Sequence, residues 1–121
     1  MELKKQCLKD FWAWYLLPKQ QETYKTSSII HFGSNAAAQV RFMAMSFTER
    51  YGVFVDFFDE AGLELCVERE VNEELIFINY FNFVVMNVET NDNYGGGGFR
   101  NSRNGARIEA IKKANKIYNT L

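Results

Sequence analysis

A chain of 121 residues can enclose one hydrophobic core and is too short for two, so a single domain spanning 1-121 is expected. Its 47% hydrophobic and 24% charged residues exclude a disordered tail, and no apolar run reaches the length of a membrane helix. A formal net charge of -1 gives no global basic field, so a long nucleic acid is not an expected partner and any anionic ligand must be small and locally recognised.

The first residues, Met1 to Lys5, lead into an amphipathic segment rather than a secretory signal, and the expected location is the cytoplasm. Cys7 and Cys66 lack redox or zinc spacing and read as buried thiols. Aromatic residues make up 16% of the chain, more rings than a small interior readily hides, so some are expected in an interface or pocket.

From Leu3 to Leu17 the apolar residues Leu3, Cys7, Leu8, Phe11, Trp12 and Tyr15 follow helical spacing until Pro18 ends the pattern. Lys19 to Gly33 reads as a connection with a short extended piece around Ser28 to His31. Ser34 or Asn35 can cap a second helix reaching about Arg50, with Val40, Met43, Ala44 and Phe47 as its apolar stripe and Gly52 as its stop. Val53 to Phe58 and Leu63 to Glu68, joined through Gly62, carry a hairpin signal. In the second of these, Leu63, Leu65 and Val67 alternate with Glu64 and Glu68, so one face should meet water.

A third run, Leu75 to Val88, is apolar on both alternating sets, which predicts a strand covered on both faces: by helices on one side and a second subunit on the other. Thr90 to Gly98, with four consecutive glycines, reads as a mobile loop. Ser102 then caps a helix to about Asn119 whose apolar face includes Ala106, Ile108, Ala110, Ile111, Ala114, Ile117 and Tyr118. The fold class expected is α+β, an antiparallel β-meander packed with an N-terminal helix, a second helix and a C-terminal helix.

Chemistry concentrates in Gly95 to Arg107. A glycine-rich stretch entering a helix start exposes backbone N–H groups at a positive dipole end. Arg103 and Arg107, four residues apart, share a helix face and can clamp a phosphate or pyrophosphate, with Arg100 just before them. Neither a Walker A motif nor a dinucleotide fingerprint is present, and the alternative of solvated arginines stays open. Phe83, Tyr94 and Phe99 can stack on a base, and Asn91, Asp92 and Asn93 can bond its edge or a ribose; core packing and turn chemistry are the plain alternatives. A lone histidine, His31, suits structure better than catalysis, and no cofactor or metal is called for. Asp56, Asp59, Glu60, Glu64 and Glu68 could serve acid–base or magnesium chemistry, although such charges are more often solvated surface.

This aromatic antiparallel sheet, its Asn-rich segment and a C-terminal helix opening on arginines resemble the phage anti-Thoeris sponge family over the C-terminal half of the chain. Members of that family sequester a cyclic ADP-ribose isomer without degrading it, in pockets at a dimer interface, and some form trimers of dimers that also take up cyclic oligonucleotides. The resemblance implies a non-enzymatic, homo-oligomeric binder of a small cyclic nucleotide in a bacterial host's cytoplasm. It places Arg107 and Arg103 at the pyrophosphate, Phe83 at the stacking position and Asn93 or Asn91 in a lid. Competing expectations are a protein-interaction module using an aromatic sheet face, and a small phosphodiesterase or nuclease using Asp56, Asp59 or Glu64.

Overall fold

The computed structural model describes residues 1–24, 35–70, 80–100 and 102–121. Their elements are α1 (Lys5–Tyr15), α2 (Pro18–Thr23), α3 (Asn35–Ala44), α4 (Phe47–Glu60), β1 (Leu63–Glu70), β2 (Tyr80–Asn87), β3 (Asn93–Arg100) and α5 (Arg103–Tyr118). The class is α+β, with the three strands forming an antiparallel sheet in the order β1-β2-β3. α5 packs against all three strands and α4 against β1. The piece expected at Ser28 to His31, the Ser34 cap and Leu75 to Asn79 lie outside the described residues. Among the described residues no helix is long and apolar enough to cross a membrane.

Four expectations about the helices are corrected. The first helix ends before Pro18 as expected, with Leu17 extended, but Lys19 onward is not all connection: Pro18 occupies the first turn of α2, where its missing N–H costs nothing. The second helix breaks before Ser46, whose hydroxyl accepts from the Glu49 N–H at 3.2 Å and donates to the Glu49 carboxylate at 3.0 Å. Ser46 is thus the side-chain cap that starts α4. Val53 to Phe58 is therefore helical rather than the first arm of a hairpin: Val53, Phe54, Phe57 and Phe58 recur at the spacing of one helix face and are all buried. In α3 the buried residues are Ala38 and Phe42, while Val40 and Met43, expected on the inner stripe, are exposed.

β1 alternates as expected, with Leu63 and Leu65 buried and Glu64 and Glu68 exposed. The same alternation turns Cys66 outward with the glutamates, so it is exposed and only Cys7 is buried. In β2, Phe81, Phe83 and Val85 face the core, and Tyr80, Val84 and Met86 stand half-buried on the other face, outside the core cluster. Gly62, which follows α4, takes φ +83, a conformation that suits glycine and turns the chain into β1.

The glycine run is not a loop. It pairs along β2 as β3, with a register shift between Phe81 and Phe83. Its glycines make room for neighbouring side chains: a Cβ on Gly96 would lie 2.8 Å from the Phe83 ring, and one on Gly97 would collide with the Asn82 amide. Among the described residues the rings divide between the core and the hollows, where Tyr24, Tyr51 and Trp12 are half-buried. Phe11, Phe42, Phe54, Phe57, Phe58, Phe81 and Phe83 are all buried, and the exposed large hydrophobics among the described residues are aliphatic or Met.

Gly96→Ala is expected to destabilise the fold by about 1–3 kcal/mol, since the ring beneath is locked in the core. Gly52→Ala, in mid-helix with nothing within 4 Å of its added Cβ, is expected to stabilise it by up to about 1 kcal/mol. Urea titrations of both variants measure the two signs.

Burial pushes the Cys7 thiol up to about 12 from 9.0, so its contribution to stability is intact below pH 9.0 and is lost as pH rises toward 12. In the native protein at neutral pH a maleimide should label Cys66 alone, slowly because burial and Glu68 raise that thiol too, and reach Cys7 only on unfolding. Mass spectrometry of the labelled protein checks this.

Candidate functional site

α5 begins where β3 ends, and Ser102 caps it by accepting the Gly105 N–H at 2.9 Å. Arg103 and Arg107 lie one turn apart at this end. Each guanidinium rests on a ring: Arg103 over Phe81 at 5.2 Å from the centroid, Arg107 over Tyr51 of α4 at 5.0 Å. Such stacking uses the flat face of the cation and leaves its N–H edge able to bond a second group. Arg107 also donates to Asn104 Oδ1 at 3.3 Å, which orients the guanidinium further.

Arg69 of β1 pairs in register with Phe81 and so lies on the same face of the sheet. The backbone of Arg100 pairs with Tyr80 at the same end. Among the described residues the ion pairs are Arg50–Glu2 and Lys112–Glu109, neither of which uses these arginines. Arg103 and Arg107, unpaired with carboxylates among the described residues, form a local anion-attracting field at the helix N-terminus, although the chain as a whole is slightly acidic.

Not every residue expected in the site is here. Because 93–100 is a strand, Asn93 and Tyr94 begin β3 at the end opposite to α5's first turn, roughly 20 Å away at about 3.3 Å per residue. Asn91 sits in the β2–β3 turn, at φ 61, donating its N–H to Asn87 O at 2.8 Å. Tyr94 carries Lys113, not an arginine, over its ring at 5.5 Å. Phe83 is buried in the core, closed over by Gly96, and is not a platform open to a ligand in this chain. The backbone of Phe99 pairs with Phe81. Within one chain, then, the arginines are gathered and the Asn and Tyr positions are not.

Tyr51 was invisible to sequence spacing, since its role comes from α4 lying alongside α5. Burial raises its hydroxyl above the usual tyrosine range, which Arg107 partly opposes. Next to it, a hollow of about 600 Å³ spreads over α4, bounded by Tyr24, Met45, Tyr51 and Val55 with Gly52 as its floor. Because a helical glycine with open space above it gains no packing, its effect is to keep this hollow clear.

Two of the carboxylates considered for catalysis anchor helices. Asp56 accepts the Tyr24 hydroxyl at 2.6 Å, and Glu60 accepts the Trp14 indole N–H, tying α2 and α1 to α4. Asp59 is raised by burial and by the nearby Asp56 and Glu64 charges. Among the described residues no group of three or more His, Cys, Asp or Glu is placed to hold a metal ion.

Comparison of the chain with protein-family models, with curated proteins and with solved structures finds no match. Ser102→Ala should cost about 1 kcal/mol by releasing the first-turn donor it satisfies, a loss that thermal unfolding followed by circular dichroism would register.

Proposed function

We propose that this protein binds a small, doubly anionic nucleotide at the amino end of α5 and releases it chemically unchanged. The observation that carries this is the pair of guanidinium groups one turn apart, each supported by a ring, at a helix N-terminus. Two adjacent phosphates match two such forks, and ring support reduces the side-chain ordering needed on binding. The ring of the nucleotide would lie toward Tyr51 and the hollow over Gly52.

The ligand class that fits the sequence resemblance is a cyclic ADP-ribose isomer, with cyclic oligonucleotides as a second class, and the physiological role is depletion of an immune signal that guards a bacterium against phage. A homodimer completes this function. Asn91, Asn93 and Tyr94 lie too far from the arginines to reach the same ligand in one chain, so a second copy would have to deliver them. The half-buried face carrying Tyr80, Val84 and Met86 is the surface offered for that contact.

Calorimetry with cyclic ADP-ribose isomers and cyclic di- and trinucleotides tests the proposal, with the ligand recovered after denaturation. Intact recovery is expected, and Arg107→Ala or Arg103→Ala should each weaken binding by about tenfold or more while leaving the far-UV spectrum unchanged, as loss of a charge-assisted hydrogen bond requires. Unaltered affinity in both variants, or a cleaved product, would sink it.

A further inference from the structure

Away from the arginines, α1 and α3 enclose an apolar groove of about 510 Å³ lined by Met1, Leu8, Trp12, Val40 and Met43. Three of these, Met1, Val40 and Met43, are exposed, Val40 to 69%, although nothing about a solvated helix face favours aliphatic side chains. An apolar face this open on a folded chain marks a contact surface. Met and Trp suit such a role, because a flexible thioether adapts to its partner and a large ring anchors it.

The charges around the groove are of one sign. Lys5 and Lys9 are exposed and stand at helical spacing beside Leu8 and Trp12 on the α1 wall. Asp10, the acid of α1, is turned toward α5, where it accepts the Tyr118 hydroxyl at 2.6 Å. α3 has the sequence NAAAQVRFMA and brings no carboxylate to the other wall. Glu2 is largely buried, pairing with Arg50 at 3.5 Å through one carboxylate oxygen and holding the other out of solvent. A protein of net charge -1 thus presents a locally cationic, apolar channel.

We infer that this groove docks an acidic amphipathic helix of a partner protein. Its walls are one turn of α1, from Leu8 to Trp12, and two turns of α3, from Ala36 to Met43, which at about 1.5 Å per residue leaves room for about two turns of a guest helix. Apolar side chains of the guest at i, i+4 and i+7 fill the space above Leu8, Trp12, Val40 and Met43, and its Glu or Asp residues meet Lys5 and Lys9. A concave channel between two helices receives a rod, whereas a bilayer surface calls for a protruding apolar edge. The inference is independent of nucleotide binding, which uses none of the groove's residues.

The test is display selection with the full-length protein, from a library of helical peptides of about 14 residues with free choice of apolar and charged positions. Enriched peptides should carry Glu or Asp beside an apolar stripe. They should lose about tenfold or more in affinity to Val40→Glu and to the Lys5→Glu, Lys9→Glu double variant, both of which alter exposed side chains and should keep the native circular dichroism. Their binding should also weaken with added salt.

Failure to enrich any helix, enrichment without acidic residues, or binding indifferent to Val40→Glu would overturn the inference. Two controls identify other occupants. Cosedimentation with phosphatidylglycerol vesicles that Val40→Glu abolishes would assign the groove to a membrane, and a solution dimer that Val40→Glu converts to monomer would assign it to a second copy; either result replaces the proposed partner.

Discussion

The ring of Phe11 is the constraint on which the helical layer depends. Wholly buried, it lies 5.2 Å from both Phe42 and Phe54 and 5.4 Å from Phe57, and so joins α1 to α3 and α4 through tilted and edge-on contacts. Rings of this size dominate the burial energy of a small core and prefer such geometries to flat stacking. Once Phe54 and Phe57 are drawn in, α4 must be a helix, because only helical spacing places Val53, Phe54, Phe57 and Phe58 on one side. A strand over the same residues would send alternate rings into water.

The two ends of the chain are then tied together. Asn115 and Asn119, one turn apart near the end of α5, accept the backbone N–H groups of Lys4 and Cys7, each at 2.9 Å. These are donors that α1, with no side-chain cap of its own, leaves without helical partners. Each bond contributes on the order of 1 kcal/mol. Their larger effect is positional: they hold one end of α5 while its buried Ala106, Ala110, Ile111 and Ala114 seat it on the sheet, and this places Arg103 over Phe81 and Arg107 over Tyr51 at the opposite end. The arginine site is thus an outcome of packing far from it. The groove between α1 and α3 has the same origin, since burying Phe11 and Phe42 inward leaves Trp12 and Met43 along its walls.

Local signals were reliable where a short-range rule acted alone. The helix opened by Ser102, its inner alanines and isoleucines, the alternation in β1 and the face shared by Arg103 and Arg107 were all legible, because capping and periodicity need no knowledge of neighbours. The Ser-x-x-Glu pattern of Ser46 and Glu49 was equally present in the letters and would have separated α3 from α4. It was overshadowed by the β-branched and aromatic run after Gly52, whose strand propensity yields to burial against Phe11.

The glycine run shows why local rules fail elsewhere. By conformational entropy alone it is a loop, but Gly96 lies against the Phe83 ring and Gly97 against Asn82, contacts a strand partner creates and the letters do not contain. By itself the sequence determined the α+β class, the strand alternation, the capped start of α5 and the pairing of two arginines, all consequences of spacing within one element. Only the tertiary structure decided that Tyr51 meets Arg107, that Asn91 and Asn93 lie at the far end of the sheet, and that Val40 and Met43 face outward. Those facts depend on which face of each element its neighbours cover, and that is set by the packing of large rings from segments distant in the chain.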